Sequence, residues 1–125
     1  MHRILTIAAR TVAILGIAFL ALFALDVFGT GAPPLEIAIG LIVHLMPNLI
    51  LVAVLAVAWR WPLAGGIIYL GLAVVPFVLL SNPVWVNAIL AGPFALAGAL
   101  FVAAALTRDA QAREDAPRPS SGTRS

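Results

Sequence analysis

Four long apolar runs constrain the fold of this 125-residue chain more than any other feature. The hydrocarbon core of a bilayer is about 30 Å thick, and a helix needs about 20 residues to cross it. The runs that are long enough are residues 5–27, 36–58, 63–80 and 84–106. Charged residues make up only 10% of the chain, which leaves too little polar surface to cover a water-soluble globule. The sequence therefore predicts an integral membrane protein.

Three short breaks separate these runs. Residues 29–34 (GTGAPP) form a glycine and proline stop, residues 59–62 (WRWP) place a proline where the next helix can begin, and residues 81–83 (SNP) form the third break. Loops this short join antiparallel neighbours. We therefore predict an all-α fold in which residues 1–106 form an up-and-down bundle of four transmembrane helices.

The C-terminal segment, residues 107–125, has a different composition. It reads TRDAQAREDAPRPSSGTRS, is rich in charge, proline and serine, and shows no apolar period. This composition is typical of a chain that cannot bury enough apolar surface to fold. We predict that it forms a disordered cytoplasmic tail.

The distribution of basic residues predicts the orientation in the membrane. All seven are arginines that lie outside the apolar runs or towards their ends, namely Arg3, Arg10, Arg60, Arg108, Arg113, Arg118 and Arg124. The loops after the first and third spans contain none, so the positive-inside rule places both termini in the cytoplasm and the whole chain in the cell (inner) membrane. A basic footprint for nucleic acid would need arginines clustered on one face, and their dispersal over the termini and turns argues against nucleic-acid binding.

Five residues are expected to anchor the bundle at the membrane interfaces. Arg10 lies inside the first run, but its long side chain can extend back to the cytoplasmic headgroups. Trp59, Arg60 and Trp61 mark the cytoplasmic interface and Trp85 marks the opposite one.

An alternative for the first run is a cleaved signal peptide with MHR as its basic start, which would leave three spans. The run is longer than the usual apolar region of about 7 to 15 residues and contains Arg10, so we favour a membrane span.

The second span contains a polar group of residues where apolar ones are expected. His44 lies near mid-membrane, Pro47 deprives the Val43 carbonyl of its helical donor, and Asn48 lies on the face of His44. An unpaired polar group in hydrocarbon costs several kcal/mol, so this cluster should face protein or water. The nearest expected ionisable partner is Asp26, at the end of the first span.

Two interpretations of the cluster of Asp26, His44 and Asn48 remain open. It is either a structural clasp between two helices, worth about 1 kcal/mol, or a proton-relay or ion-coordination site. We favour the clasp, because one histidine and one carboxylate are few for a complete translocation path.

No catalytic, cofactor or metal site is predicted. The chain has no cysteine, which excludes thiol chemistry. Haem ligation would need a second histidine beside His44, and the other histidine is His2 near the surface. Serine hydrolysis lacks its residues, because the first serine is Ser81 in a turn. An enzyme acting on a lipid or quinone would have only Asp26, His44 and Tyr69 to use, so we predict that the protein is not an enzyme.

Small residues and prolines predict how the helices pack. One packing seam, within the bundle or between copies, is expected at Ala91, Ala95, Ala99 and Ala103, with Phe101 facing lipid. Gly65, Gly66 and Gly71 can serve similarly in the third span. Kinks are expected at Pro47, Pro76 and Pro93, and those at Pro76 and Pro93 can open an internal cavity.

Three segments together resemble a known family. They are FALDVFG at 23–29, HLMPNLILVAVLAVAWRWPLAGGIIY at 44–69 and GPFALAGALF at 92–101. The chain resembles a family of small bacterial and archaeal four-helix membrane proteins classified as a domain of unknown function. The resemblance implies four spans and no particular activity.

Two functional hypotheses follow. The first is a structural or accessory membrane protein whose partners are the lipid bilayer and either further copies of itself or a larger membrane complex. The alternative is a subunit of a small oligomeric transporter or channel with a polar site at Asp26 and His44.

Overall fold

The computed structural model describes residues 1–116 as four helices joined by short turns. The helices are α1 (His2–Ala24, extended by a 3₁₀ helix over Leu25–Thr30), α2 (Pro34–Arg60), α3 (Pro62–Leu79) and α4 (Val84–Glu114). All four are long and apolar enough to cross a membrane. The predicted all-α fold of four transmembrane helices is confirmed.

The turns follow the local chemistry of the breaks. Gly31 has a φ of 65°, a left-handed conformation that glycine adopts without steric cost, and it ends the 3₁₀ helix. Pro34 and Pro62 occupy the first positions of α2 and α3, where the missing amide hydrogen costs nothing.

Helix α4 is longer than the sequence pattern indicated. It continues to Glu114, so the first part of the expected disordered tail is helical. Residues 107–114 lack an apolar period but contain alanine, arginine, glutamine and glutamate, which are good helix formers. His2 Nδ1 lies 2.9 Å from Gln111 Oε1 and donates to it, so this extension contacts the start of α1. Residues 117–125 of the predicted tail lie outside the described residues.

Each helix packs mainly on two neighbours in an antiparallel ring. Helix α4 packs most extensively on α3 and next on α1, whereas α2 packs less extensively on α1 and α3. One end of the bundle carries the N-terminus, the turn between α2 and α3, and the end of α4; we call this the termini-side half. The other, the far half, carries the remaining two turns.

An aromatic stack fills the centre of the bundle. The Tyr69 ring lies between those of Phe94 and Phe101, with both centroid distances 6.1 Å and the planes within 8° of parallel. The Tyr69 hydroxyl donates a 2.8 Å hydrogen bond to the Leu51 carbonyl. Tyr69 thereby connects α3 to both α2 and α4.

Glycines allow very close helix approach in the termini-side half. A Cβ atom added to Gly66 would lie 2.9 Å from the Gly98 carbonyl oxygen, and one added to Gly98 would lie 2.8 Å from that of Gly66. The backbones of α3 and α4 therefore touch here. A Cβ atom on Gly65 would overlap Ala58, so α2 and α3 meet as closely beside their turn.

The predicted seam on α4 does not coincide with its buried face. The buried residues of this helix are Asn87, Ala91, Phe94, Ala97, Gly98, Phe101, Ala104 and Ala105. Of the predicted seam, Ala91 is buried, Ala95 and Ala103 are half-buried and Ala99 is exposed.

The prediction that Phe101 faces lipid is wrong, since its side chain is fully buried. The reason is geometric. Residues spaced four apart advance about 40° around a helix at each step, because 3.6 residues make a turn. A row of residues spaced four apart therefore drifts around the helix and away from the packing face, whose residues alternate spacings of four and three.

Candidate functional site

Asp26 and His44 do not pair in the structure. His44 Nδ1 lies 2.9 Å from the Gly40 carbonyl oxygen on its own helix. Asp26 is exposed on the 3₁₀ helix, and no hydrogen bond or ion pair joins it to His44 within residues 1–116. The expected geometry assumed an α-helix through residue 27, but a 3₁₀ helix has three residues per turn and a rise of about 2 Å, which changes both height and direction.

The hydrogen bond to Gly40 fixes which imidazole nitrogen carries the proton. A carbonyl oxygen only accepts, so Nδ1 is the donor. In the neutral ring Nε2 is then an acceptor, and no hydrogen bond to it occurs in the described part of the chain. His44 therefore presents an unused acceptor.

His44 lines a cavity of about 590 Å³ in the far half of the bundle. All four helices contribute to its walls, and His44 is the single ionisable residue among them. Pro47 of α2 and Pro76 of α3 both line it, as do the buried residues Ala91 and Phe94 of α4. The cavity is thus an apolar chamber with one titratable group.

The cavity exists because α2 and α3 lose their packing in the far half. No residue of α2 before Asn48 is buried, and no residue of α3 after Ala73 is buried. Pro47 and Pro76 lie near these two limits, inside helices that continue through them. A proline clashes with the preceding turn and tends to bend a helix, which gives a physical reason for the loss of packing beyond these residues. The kinks at Pro47 and Pro76 stay a prediction.

Pro93 has a different environment. It lines a second groove, of about 380 Å³, between α1 and α4. Its Cβ atom would lie 2.9 Å from a Cβ atom added to Gly16, so glycine at that position lets the two helices approach.

Two asparagines are buried, and the sequence pattern predicted a role for only one of them. Asn48 is 5% exposed, and neither of its side-chain polar atoms has a hydrogen-bond partner among the described residues. Asn87 is also buried, and its Nδ2 donates long hydrogen bonds of 3.4 and 3.5 Å to the carbonyls of Leu80 and Asn82. Asn87 therefore closes the turn between α3 and α4, a role that its place near the start of an apolar run could have suggested.

The expected interface residues lie near the ends of the helices. The Arg10 guanidinium carbon is 5.3 Å from the centroid of the Trp59 ring, a cation–π contact between α1 and α2. Trp59, Trp61 and Trp85 are exposed, as is Arg60. Their anchoring role in lipid stays a prediction.

Residues 1–116 contain no group of three or more histidine, aspartate or glutamate residues that could hold a metal ion. The polar features of the site are therefore single side chains and backbone carbonyls.

Comparison with known proteins identifies a family without a described activity. No curated protein and no solved structure matches the chain significantly. The family model described as "Domain of unknown function (DUF7670)" matches residues 1–114, which include all four helices. The chain belongs to this domain-of-unknown-function family, as its sequence resemblance implied.

Proposed function

We propose that this protein is a structural or accessory component of the cell membrane that acts by packing against other transmembrane helices, in further copies of itself or in a larger complex. The observation that carries the proposal is a second face on α4, formed mostly by small residues, which its own bundle leaves exposed except at the half-buried Ala95 and Ala103.

This face lies opposite the buried face of α4. Its members, all within about 60° of one direction around the helix, are Ala88, Gly92, Ala95, Leu96, Ala99 and Ala103. Gly92 and Ala99 are exposed, and a Cβ atom added to Gly92 would meet nothing within 4 Å. In lipid, such small-residue faces favour helix association because they let backbones approach closely.

A groove lies beside this face and gives a neighbouring helix a concave surface to pack against. Gly92 and Leu96 form one wall of the 380 Å³ groove, and Leu15 and Phe19 of α1 form the other. A side chain of a neighbouring helix on the small face of α4 could insert into this groove, which would add van der Waals contact to the association.

The arrangement of charge supports an orientation with both termini in the cytoplasm. Arg3, Arg60 and Arg108 belong to three different segments, and the antiparallel topology brings these segments to one end of the bundle. A one-sided arginine distribution of this kind is what the positive-inside rule requires of a single fixed orientation.

A transporter subunit has less support. Its polar site would need Asp26 and His44 together, and they are apart. Tyr69, Phe94 and Phe101 also fill the bundle centre, between the cavity and the termini-side half. The proposal assigns the protein no enzymatic activity and no cofactor.

The test is the mass of the complex extracted in a mild detergent, compared between Ala99→Leu and Ala53→Leu. Both positions are exposed alanines, on α4 and α2 respectively. We expect the wild type and Ala53→Leu to purify as a discrete homo-oligomer or with a fixed partner, and Ala99→Leu to lose this association while the melting temperature of the separated monomer stays that of the wild-type monomer. A wild-type monomer without a partner, or an Ala99→Leu complex of unchanged mass, would contradict the proposal.

A further inference from the structure

We propose that the cavity beside His44 binds a neutral lipid with a free hydroxyl group, which donates a hydrogen bond to His44 Nε2 while its apolar body fills the chamber. This inference is independent of the packing role proposed for α4.

Two residues of α2 that line the cavity offer hydrogen-bond acceptors without an evident donor. The first is His44 Nε2, since Nδ1 already donates to the Gly40 carbonyl. The second is the Val43 carbonyl, because Pro47 has no amide hydrogen with which to close the helical bond to it. Both Val43 and His44 line the cavity. The occupant should therefore supply donors.

This requirement separates lipid classes. Acyl chains have no polar hydrogen, and ester carbonyls and phosphodiesters only accept hydrogen bonds, so ordinary glycerophospholipid tails would leave both acceptors unmet. An alcohol donates, and its oxygen can accept in turn. His44 and Val43 are exposed at the side of the bundle. At this depth the surroundings would be hydrocarbon, where an acceptor without a donor costs about 1 to 3 kcal/mol, so the difference favours the alcohol.

The depth of His44 favours a neutral ligand. It is ten residues along α2 from Pro34, or about 15 Å at 1.5 Å per residue, which is near mid-membrane. A charged group is expensive at that depth, and no arginine lines the cavity to balance a phosphate. A hydroxyl is the donor that can be placed there at least cost.

The size and the access of the cavity suit a lipid. Its volume of about 590 Å³ lies within the range of about 300 to 1,000 Å³ that is usual for small-molecule sites. The wall residues Val43 and Leu79 are 61% and 73% exposed, so the chamber opens at the surface of the bundle. A lipid can therefore enter from the side, where α2 and α3 have separated.

The experiment uses the full chain in phosphatidylcholine nanodiscs and two probes, dioctanoylglycerol and its acetyl ester, which lacks the free hydroxyl. Imidazole nitrogen NMR reports on binding, and the chain has only two histidines, so His2 serves as an internal reference. We expect dioctanoylglycerol to shift His44 Nε2 saturably, with His2 unmoved, and the acetyl ester to bind about five- to tenfold more weakly, as the loss of one net hydrogen bond implies.

Variants assign the binding to the cavity. His44→Phe should bind the two probes equally, as measured with radiolabelled lipid. Val75→Phe, a filling substitution at an exposed wall residue, should reduce the binding of both probes, and Ala53→Leu outside the cavity should change neither. Equal affinity for the two probes in the wild type, no binding, or undiminished binding in a folded Val75→Phe protein would overturn the proposal.

Discussion

Tyr69 shows how a single hydroxyl can be accommodated in an otherwise apolar core. Its side chain is fully buried, and its ring fills the space between Phe94 and Phe101. The hydroxyl reaches the Leu51 carbonyl of α2, so no polar hydrogen is left without a partner. One residue thus joins three helices by packing and by a hydrogen bond.

Removing this hydroxyl should have a small, measurable effect. Tyr69→Phe keeps the aromatic stack and loses the 2.8 Å hydrogen bond to Leu51. We expect the free energy of unfolding in detergent to fall by about 0.5 to 1.5 kcal/mol. Tyr69→Ala, which also removes the ring, should cost about 3 to 5 kcal/mol. Equal stability of Tyr69→Ala and the wild type would show that the stack does not form.

The polar residues were the least predictable part of the sequence. The pattern located His44 and Asn48 correctly within α2, but their partners depend on geometry that spacing does not determine. A change from α to 3₁₀ geometry at Leu25 was enough to separate Asp26 from the expected pairing. Tyr69 gave no distinctive signal, because its role comes from residues on other helices.

Helix α4 is the element that organises the bundle, and its two faces differ in role. One face packs on α1 and α3, and the opposite face carries exposed Gly92 and Ala99. Span positions could be predicted because they depend on the lengths of apolar runs. The direction of each face could not, since α4 is apolar on all sides and alanine occurs on both faces.

Enlarging alanines on the two faces should therefore give different results. Ala97 is fully buried and Ala99, two residues later, is exposed. Ala97→Leu should destabilise the bundle by about 1 to 3 kcal/mol through overpacking, and Ala99→Leu should leave its stability nearly unchanged. Thermal unfolding of the monomer in detergent measures both. The reverse order would mean that the face of α4 is assigned wrongly.

Glycines of α4 provide a second comparison. Gly98→Ala places a Cβ atom against the Gly66 carbonyl oxygen, so α3 and α4 must separate, and we expect a loss of about 1 to 3 kcal/mol. Gly92→Ala meets open space and should keep or raise the stability, by up to about 1 kcal/mol from helix propensity. Denaturation of both variants in the same detergent tests this, and a Gly98→Ala protein as stable as the wild type would exclude the close α3–α4 contact.

The whole molecule is packed unevenly along its length. The termini-side half is closed by direct backbone contact at Gly66 and Gly98, and the far half opens where α2 and α3 run past Asn48 and Ala73 without buried residues. This division gives the bundle one closely packed, arginine-flanked end and an open chamber towards the other end.

Four antiparallel spans in one fixed orientation would expose the two pairs of helix ends on different sides of the membrane, and labelling of introduced cysteines distinguishes the two sides. The chain has no native cysteine, so single substitutions report unambiguously. In intact cells a membrane-impermeant maleimide should label Thr30→Cys and Asn82→Cys, whereas Trp61→Cys and Thr107→Cys, which keep every arginine, should react only after permeabilisation. Labelling of Trp61→Cys in intact cells, or protection of Asn82→Cys there, would contradict this topology.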